Sequence, residues 1–112
     1  MTDHETCRWE GKSGILYKYY IWELPVNFKE NQKGNYIYTK KNFEGKWQPI
    51  YIGQGDLKER SENHHKKNCI SSKGATHLHV HLNLKEEDRI NEEEDLLMNY
   101  TNAYSSGCNE IL

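Results

Sequence analysis

Long apolar runs are missing from this sequence. None approaches the roughly 20 residues needed to cross a bilayer, so no membrane span is expected. The opening Met1-Thr2-Asp3-His4-Glu5 lacks the basic and apolar blocks of a signal peptide. Cysteine is scarce: Cys7, Cys69 and Cys108 are odd in number, widely spaced and without a CxxC pair. That pattern predicts reduced thiols and a cytoplasmic protein. An excess of positive charge is also lacking, since the formal net charge is −2. This argues against a basic coat protein for nucleic acid but leaves room for an enzyme with a local basic site. No internal repeat, linker or low-complexity segment divides the 112 residues, which predicts one domain over 1–112.

What the chain does have is aromatic area. Eight Tyr and three Trp sit within a composition that is 35% hydrophobic and 29% charged, unlike that of a disordered chain. Residues 16–24 (LYKYYIWEL) are aromatic and branched and end before Pro25, the pattern of a strand. Residues 35–40 and 47–53 predict a hairpin about the 42–47 turn. Asp56 is positioned as N-cap of a helix over 57–67, and Ser71-Ser72-Lys73-Gly74 as a loop. In residues 77–83 (HLHVHLN), Leu78, Val80 and Leu82 alternate with His77, His79 and His81, predicting a fourth strand. Residues 85–100 have a helical pattern. The order predicts an α+β fold with a small, mostly antiparallel sheet flanked by helices.

The last helix carries an anomaly. Ile90, Leu97 and Tyr100 form one stripe with Leu96 beside it, and Glu93 falls on that stripe while Glu92 and Asp95 turn to water. A carboxylate facing a core is costly unless paired, hydrogen-bonded or bound to a cation. A metal ligand is one answer; an edge-of-stripe Glu paired with a basic side chain is the other. On the preceding helix Leu57, Arg60 and His64 share a face, offering a planar phosphate fork and a group that exchanges protons near neutrality. His65 points elsewhere. In the hairpin, Tyr36 and Tyr38 oppose Ile37, and Tyr51 opposes Ile50 and Ile52. The tyrosines would thus face a patch left open by Gly53.

Taken in order, these residues resemble the GIY-YIG nuclease family. Gly34-Asn35-Tyr36 looks like its first signature and Tyr51-Ile52-Gly53 is its second. Asp56-Leu57-Lys58-Glu59-Arg60 resembles the helix opening with its catalytic arginine, and His64 matches a position that holds His or Tyr. Glu93-Glu94-Asp95-Leu96-Leu97 resembles the run whose acid holds the metal, and Asn109 stands where members carry an Asn beyond the last helix. The match covers about two thirds of the chain, residues 34–109, leaving 1–33 as an extension with an extra strand.

The resemblance implies metal-dependent hydrolysis of DNA phosphodiesters at a site of Tyr36, Tyr51, Arg60, His64 and Glu93. Glu93 would hold Mg²⁺ or Mn²⁺, Arg60 would offset phosphate charge, and Tyr36 or Tyr51, with His64, would handle the attacking water. Lys58, Lys66, Lys67 and Lys73 are candidates to line the phosphate path. Specificity would come from a protein partner or a homodimer, the latter suggested by Tyr19, Tyr20 and Trp22 on an edge strand. Two other readings stand beside this one. The domain would bind nucleic acid without cutting it, or His77, His79 and His81 would hold zinc with His64, His65, Cys69 and Cys108.

Overall fold

In the computed structural model, which describes residues 5–110, the tyrosine-rich segment becomes the inner strand β3 (Lys33–Lys41). It pairs on one side with β4 (Trp47–Asp56) and on the other with β5 (His77–Leu82). β2 (Leu16–Glu23) joins the far side of β5, and β1 (Thr6–Glu10) joins β2. The sheet order is β1-β2-β5-β3-β4, and every pairing is antiparallel. Four helices are formed by the described residues: α1 (Leu57–Glu62), α2 (Lys67–Ser72), α3 (Glu86–Asn99) and α4 (Asn102–Ser105). The α+β class with an antiparallel sheet is as expected.

Both faces of the sheet are covered. Leu57 of α1 and Ile70 of α2 pack with Tyr36, Tyr38, Leu78 and Val80 on one face. Leu96 of α3 and Ala103 of α4 pack with Trp9, Tyr19, Ile37 and Ile52 on the other. A strand sandwiched in this way is buried at successive positions, and β3 is buried without a break from Gly34 to Thr39.

Several expectations change here. The 1–33 extension supplies two strands rather than one, and β1 was not foreseen. β2 is an inner strand with neighbours on both sides, and Tyr19 is fully buried, so the edge that suggested a homodimer does not exist. Ile50 does not share a face with Ile52: Tyr38 pairs with Tyr51 and Thr39 with Pro49, leaving Ile50 as the extra residue of a β-bulge. The bulge turns Ile50 toward the tyrosine face, where it packs with Leu57 and Cys108. The 57–67 helix is broken, because Asn63 leaves helical geometry (φ −128°, ψ 39°) and α2 restarts only at Lys67. The Ser71-Ser72 part of the expected loop belongs to α2. Leu82 lies at a strand end and is exposed, unlike Leu78 and Val80.

Cys69 and Cys108 are not reduced thiols. They form a disulfide with Cα atoms 6.0 Å apart, leaving Cys7 as the free cysteine among the described residues. With that bond present, cysteine usage no longer argues for a reducing compartment. The described residues contain no helix long and apolar enough to cross a membrane.

The histidine face of β5 is part of the core. His79 is fully buried, its Nδ1 accepts the Trp9 indole N–H at 3.0 Å, and the Trp47 ring meets it edge-on. Burial, reinforced by His77, pulls its pKa down to about 3. Below the ordinary value of 6.5 the unfolded chain therefore gains a proton that folded His79 refuses. Its neutral-state contribution is complete above pH 6.5 and is lost as pH falls toward 3, on the order of 5 kcal/mol. The urea midpoint is expected to drop across pH 6.5 to 4, and His79→Gln is expected to flatten that slope. A slope unaltered by the substitution would assign the acid sensitivity elsewhere.

Candidate active site

The site begins with a hairpin that cannot tolerate a side chain at one position. On the tyrosine face Tyr36 lies opposite Gly53, and a Cβ on Gly53 would fall 2.6 Å from the Tyr36 ring and hydroxyl. Gly53 therefore does not leave an open patch, because the Tyr36 ring occupies it. Tyr51 lies beside it, its ring 6.1 Å from that of Tyr36 and tilted by only 21°. Gly53→Ala is expected to cost about 1–3 kcal/mol through overpacking and to push Tyr36 off its partner. Thermal unfolding measures the first effect. The second follows from comparison with Tyr36→Phe, which removes the hydroxyl but keeps the ring.

That partner is His64. Asp56 caps α1 by accepting the Glu59 N–H at 3.0 Å, as expected. Helix α1 ends at Glu62, so His64 reaches the site from the turn after the helix rather than from its face. The Lys66 backbone N–H donates to His64 Nδ1 at 2.9 Å, a local bond that competes with continuation of the helix. With Nδ1 accepting, neutral His64 carries its proton on Nε2. It donates that proton to the Tyr36 hydroxyl oxygen, 2.7 Å away. Burial, with the nearby His65 and Arg60, pulls the His64 pKa down to about 4, so this neutral form prevails near neutrality. The Tyr36 O–H is then directed away from His64. Burial raises the Tyr36 phenol far above its ordinary value, and raises that of Tyr51 as well.

Arg60 lies over Gly55, whose φ of +141° suits glycine and where a Cβ would come within 2.8 Å of the guanidinium Nε. Its charge favours the ionised forms of Tyr36, Tyr51 and Glu93. Glu93 comes from α3, on the opposite face of the sheet, and meets the tyrosines around the rim of edge strand β4. There Tyr51, His65, Lys66, Glu93 and Asn109 line a groove of about 450 Å³. Burial pushes the Glu93 carboxyl up to about 7 despite Arg60.

The inward stripe of α3 is not the one expected. Arg89, Glu92 and Leu96 are its buried residues, Ile90 is exposed, and Glu93 stands on the flank facing the groove. Glu92, expected in water, accepts the Tyr19 hydroxyl at 2.5 Å and pairs with His81 at 2.9 Å. Asp95 is also engaged, accepting from the Ser13 N–H and from the Tyr17 hydroxyl. The stripe was misread because the partners of Glu92 come from distant strands.

The floor of the groove is completed by the C-terminal segment. Asn109 uses its side-chain amide as a strand would use its backbone, accepting the Ile52 N–H at 2.8 Å and donating to the Ile52 carbonyl at 3.0 Å. Cys108 donates its backbone N–H to the Ile50 carbonyl at 2.7 Å, so the outer edge of β4 is covered. His65, ranked below His64 from sequence, stacks on it with ring centres 4.9 Å apart and also faces Tyr51. Tyr104 and Glu110 also line the groove, with no sequence signal to mark them.

The lysines divide. Lys66 lines the groove and is ion-paired with Glu110. Lys58 is paired with Glu62 at 3.0 Å in a hollow it shares with Glu30, Asp56 and Glu59, an acidic setting ill suited to phosphate. Lys67 is exposed at the start of α2, and Lys73 caps its far end beside the Lys40 ammonium.

The zinc ligand set does not assemble. Cys69 and Cys108 are joined, His79 is bonded to Trp9 and His81 to Glu92. The described residues contain no group of three or more His, Cys, Asp and Glu placed to hold a metal ion. A hard divalent cation bound mainly through water requires fewer protein ligands. Glu93 fits that requirement: its carboxyl is half-buried, held up by desolvation, and opposed by the charge of Arg60 alone among its named influences. No protein-family model, curated protein or solved structure matches this chain.

Proposed function

We propose that the protein is a metal-dependent endonuclease of GIY-YIG type that hydrolyses DNA phosphodiester bonds. The observation that carries this reading is the convergence of Glu93 with Tyr51 and Arg60 across the rim of β4. An acid and a phenol line one open groove there, within range of the Arg60 charge, although they arise from two opposite layers of the fold.

In this reading Arg60 grips a non-bridging oxygen of the scissile phosphate and offsets the charge that grows on it. His64 holds the Tyr36 oxygen through Nε2–H, leaving the phenolic proton to orient a second group. Tyr51, the more exposed of the pair, orients the attacking water. Water oxygen bonds to phosphorus as the bond to the leaving oxygen breaks; the water passes its proton to the Tyr36 or Tyr51 oxygen as that phenol gives its own proton to solvent, and solvent protonates the leaving group. Glu93 would hold Mg²⁺ or Mn²⁺, which when bound supplies charge neutralisation at the leaving oxygen. DNA is the expected partner, with target choice supplied by another protein.

The test is a cleavage assay on single-stranded, duplex and branched DNA with Mg²⁺ or Mn²⁺, comparing wild type with Glu93→Ala and Arg60→Ala. Metal-dependent cleavage lost in both variants supports the site. Cleavage that survives both removes it, and binding without cleavage of any substrate favours a non-catalytic nucleic-acid-binding domain.

A further inference from the structure

The groove does not end at Glu93. Beyond Leu97, Tyr104 and Asn109, which it shares, a second hollow of about 870 Å³ opens between α3 and α4. Its walls have a different chemistry. Leu97, Met98 and the Tyr104 ring are apolar or aromatic, and Thr101 and Ser105 contribute hydroxyls. Among the described residues, Glu94 is the only charged one lining it, so a phosphate would meet repulsion and no cation there. Lys66 lines the Tyr51 end instead, paired there with Glu110, and the Arg60 charge acts on Tyr51 from beside it. From one end to the other the groove thus runs from phosphate-binding to base-binding chemistry, the same order in which a nucleotide presents its parts.

We propose that this hollow is a subsite for one unpaired base of the substrate strand, that of the nucleotide next to the scissile phosphate. The base lies against Tyr104, Leu97 and Met98, and its edge meets the hydroxyls of Thr101 and Ser105. This rests on the nuclease reading and adds a substrate class to it. A base held between two helices has left its duplex stack, so the enzyme acts on single-stranded, flapped or looped DNA in preference to intact duplex. Aromatic stacking tolerates any base, so the subsite selects strand structure rather than sequence.

The experiment uses wild-type protein with Mg²⁺ and a set of single-stranded oligonucleotides carrying one abasic residue at successive positions around the cut. Hydrolysis of base-free bis(p-nitrophenyl) phosphate is measured alongside. One abasic position beside the cut is expected to raise KM roughly tenfold or more, the scale of a lost stacking contact. Tyr104→Ala is expected to impose a similar penalty on intact strands and little further penalty on that abasic strand. Met98→Ser, at a largely exposed position, gives a smaller effect of the same kind without threatening the fold. Equal KM at every abasic position overturns the subsite while leaving the nuclease standing, as does a Tyr104→Ala penalty undiminished on the abasic strand. If neither DNA nor the base-free diester is hydrolysed, the nuclease reading fails and the subsite falls with it.

Discussion

In the proposed DNA cleavage, Arg60→Ala is expected to lower kcat by about 10²–10³-fold, the usual loss when a preorganised group facing transition-state charge is removed. Arg60 makes no ion pair within 4.0 Å among the described residues, so its charge is not consumed by a carboxylate. Its position comes from Asp56, which starts α1, and from Gly55, which leaves room for the guanidinium. Arg60→Lys retains the charge but not the planar fork and is expected to recover only part of the rate. The fold should be indifferent, because Arg60 lies outside both buried clusters. Single-turnover rates with saturating metal, taken together with thermal unfolding, check both statements. A variant within a few-fold of wild type would remove Arg60 from the chemistry.

Breaking the Cys69–Cys108 bond is expected to have a large effect on stability at neutral pH. The bond closes a loop with a sequence separation of 39 residues. By loop-closure entropy a cross-link of that size is worth roughly 4 kcal/mol, acting on the unfolded chain. Cys108→Ser should shift the urea midpoint accordingly, and wild type under a thiol reductant should follow it. A thiol titration of unreduced, unfolded protein should find Cys7 alone reactive. The folded state is affected as well, because Cys108 precedes Asn109 and its backbone is bonded to Ile50. Cleavage should therefore decline before global unfolding. Equal midpoints with and without reductant would show that the bond contributes nothing.

How much was legible in sequence depended on whether a residue's partners are local. The alternation of residues 77–82, the aromatic runs of β2 and β3, and Asp56 as a cap are local patterns, and each appears as read. Thr6–Glu10 carries Trp9 as its buried aromatic, and becomes a strand through partners in β2. The helix break at Asn63 was hidden because the spacing of Leu57, Arg60 and His64 suits a continuous helix equally well. What ended the helix was a histidine ring bonded to backbone two residues on. The His64 ring is thus placed by a turn and not by the helix face that the spacing suggested. The disulfide joins α2 to the C-terminal segment, and nothing local in either stretch points to the other. Glu92 and Glu93 are neighbours with opposite fates, decided by Tyr19 and His81.

The turn joining β1 to β2 reaches further than its distance from the groove suggests. Asp95 fastens α3 to that turn through Ser13 and to β2 through Tyr17, and Gly11 lies so close to the Asp95 carboxylate that no Cβ fits between them. Two residues earlier on the same rigid rod is Glu93. The N-terminal hairpin therefore serves as a set-screw for the acid: loosening it would let α3 slide or roll and carry the carboxylate out of line with the phenols. A chain shortened to begin near residue 34 would keep Tyr36, Tyr51, Arg60 and Glu93 and lose their alignment.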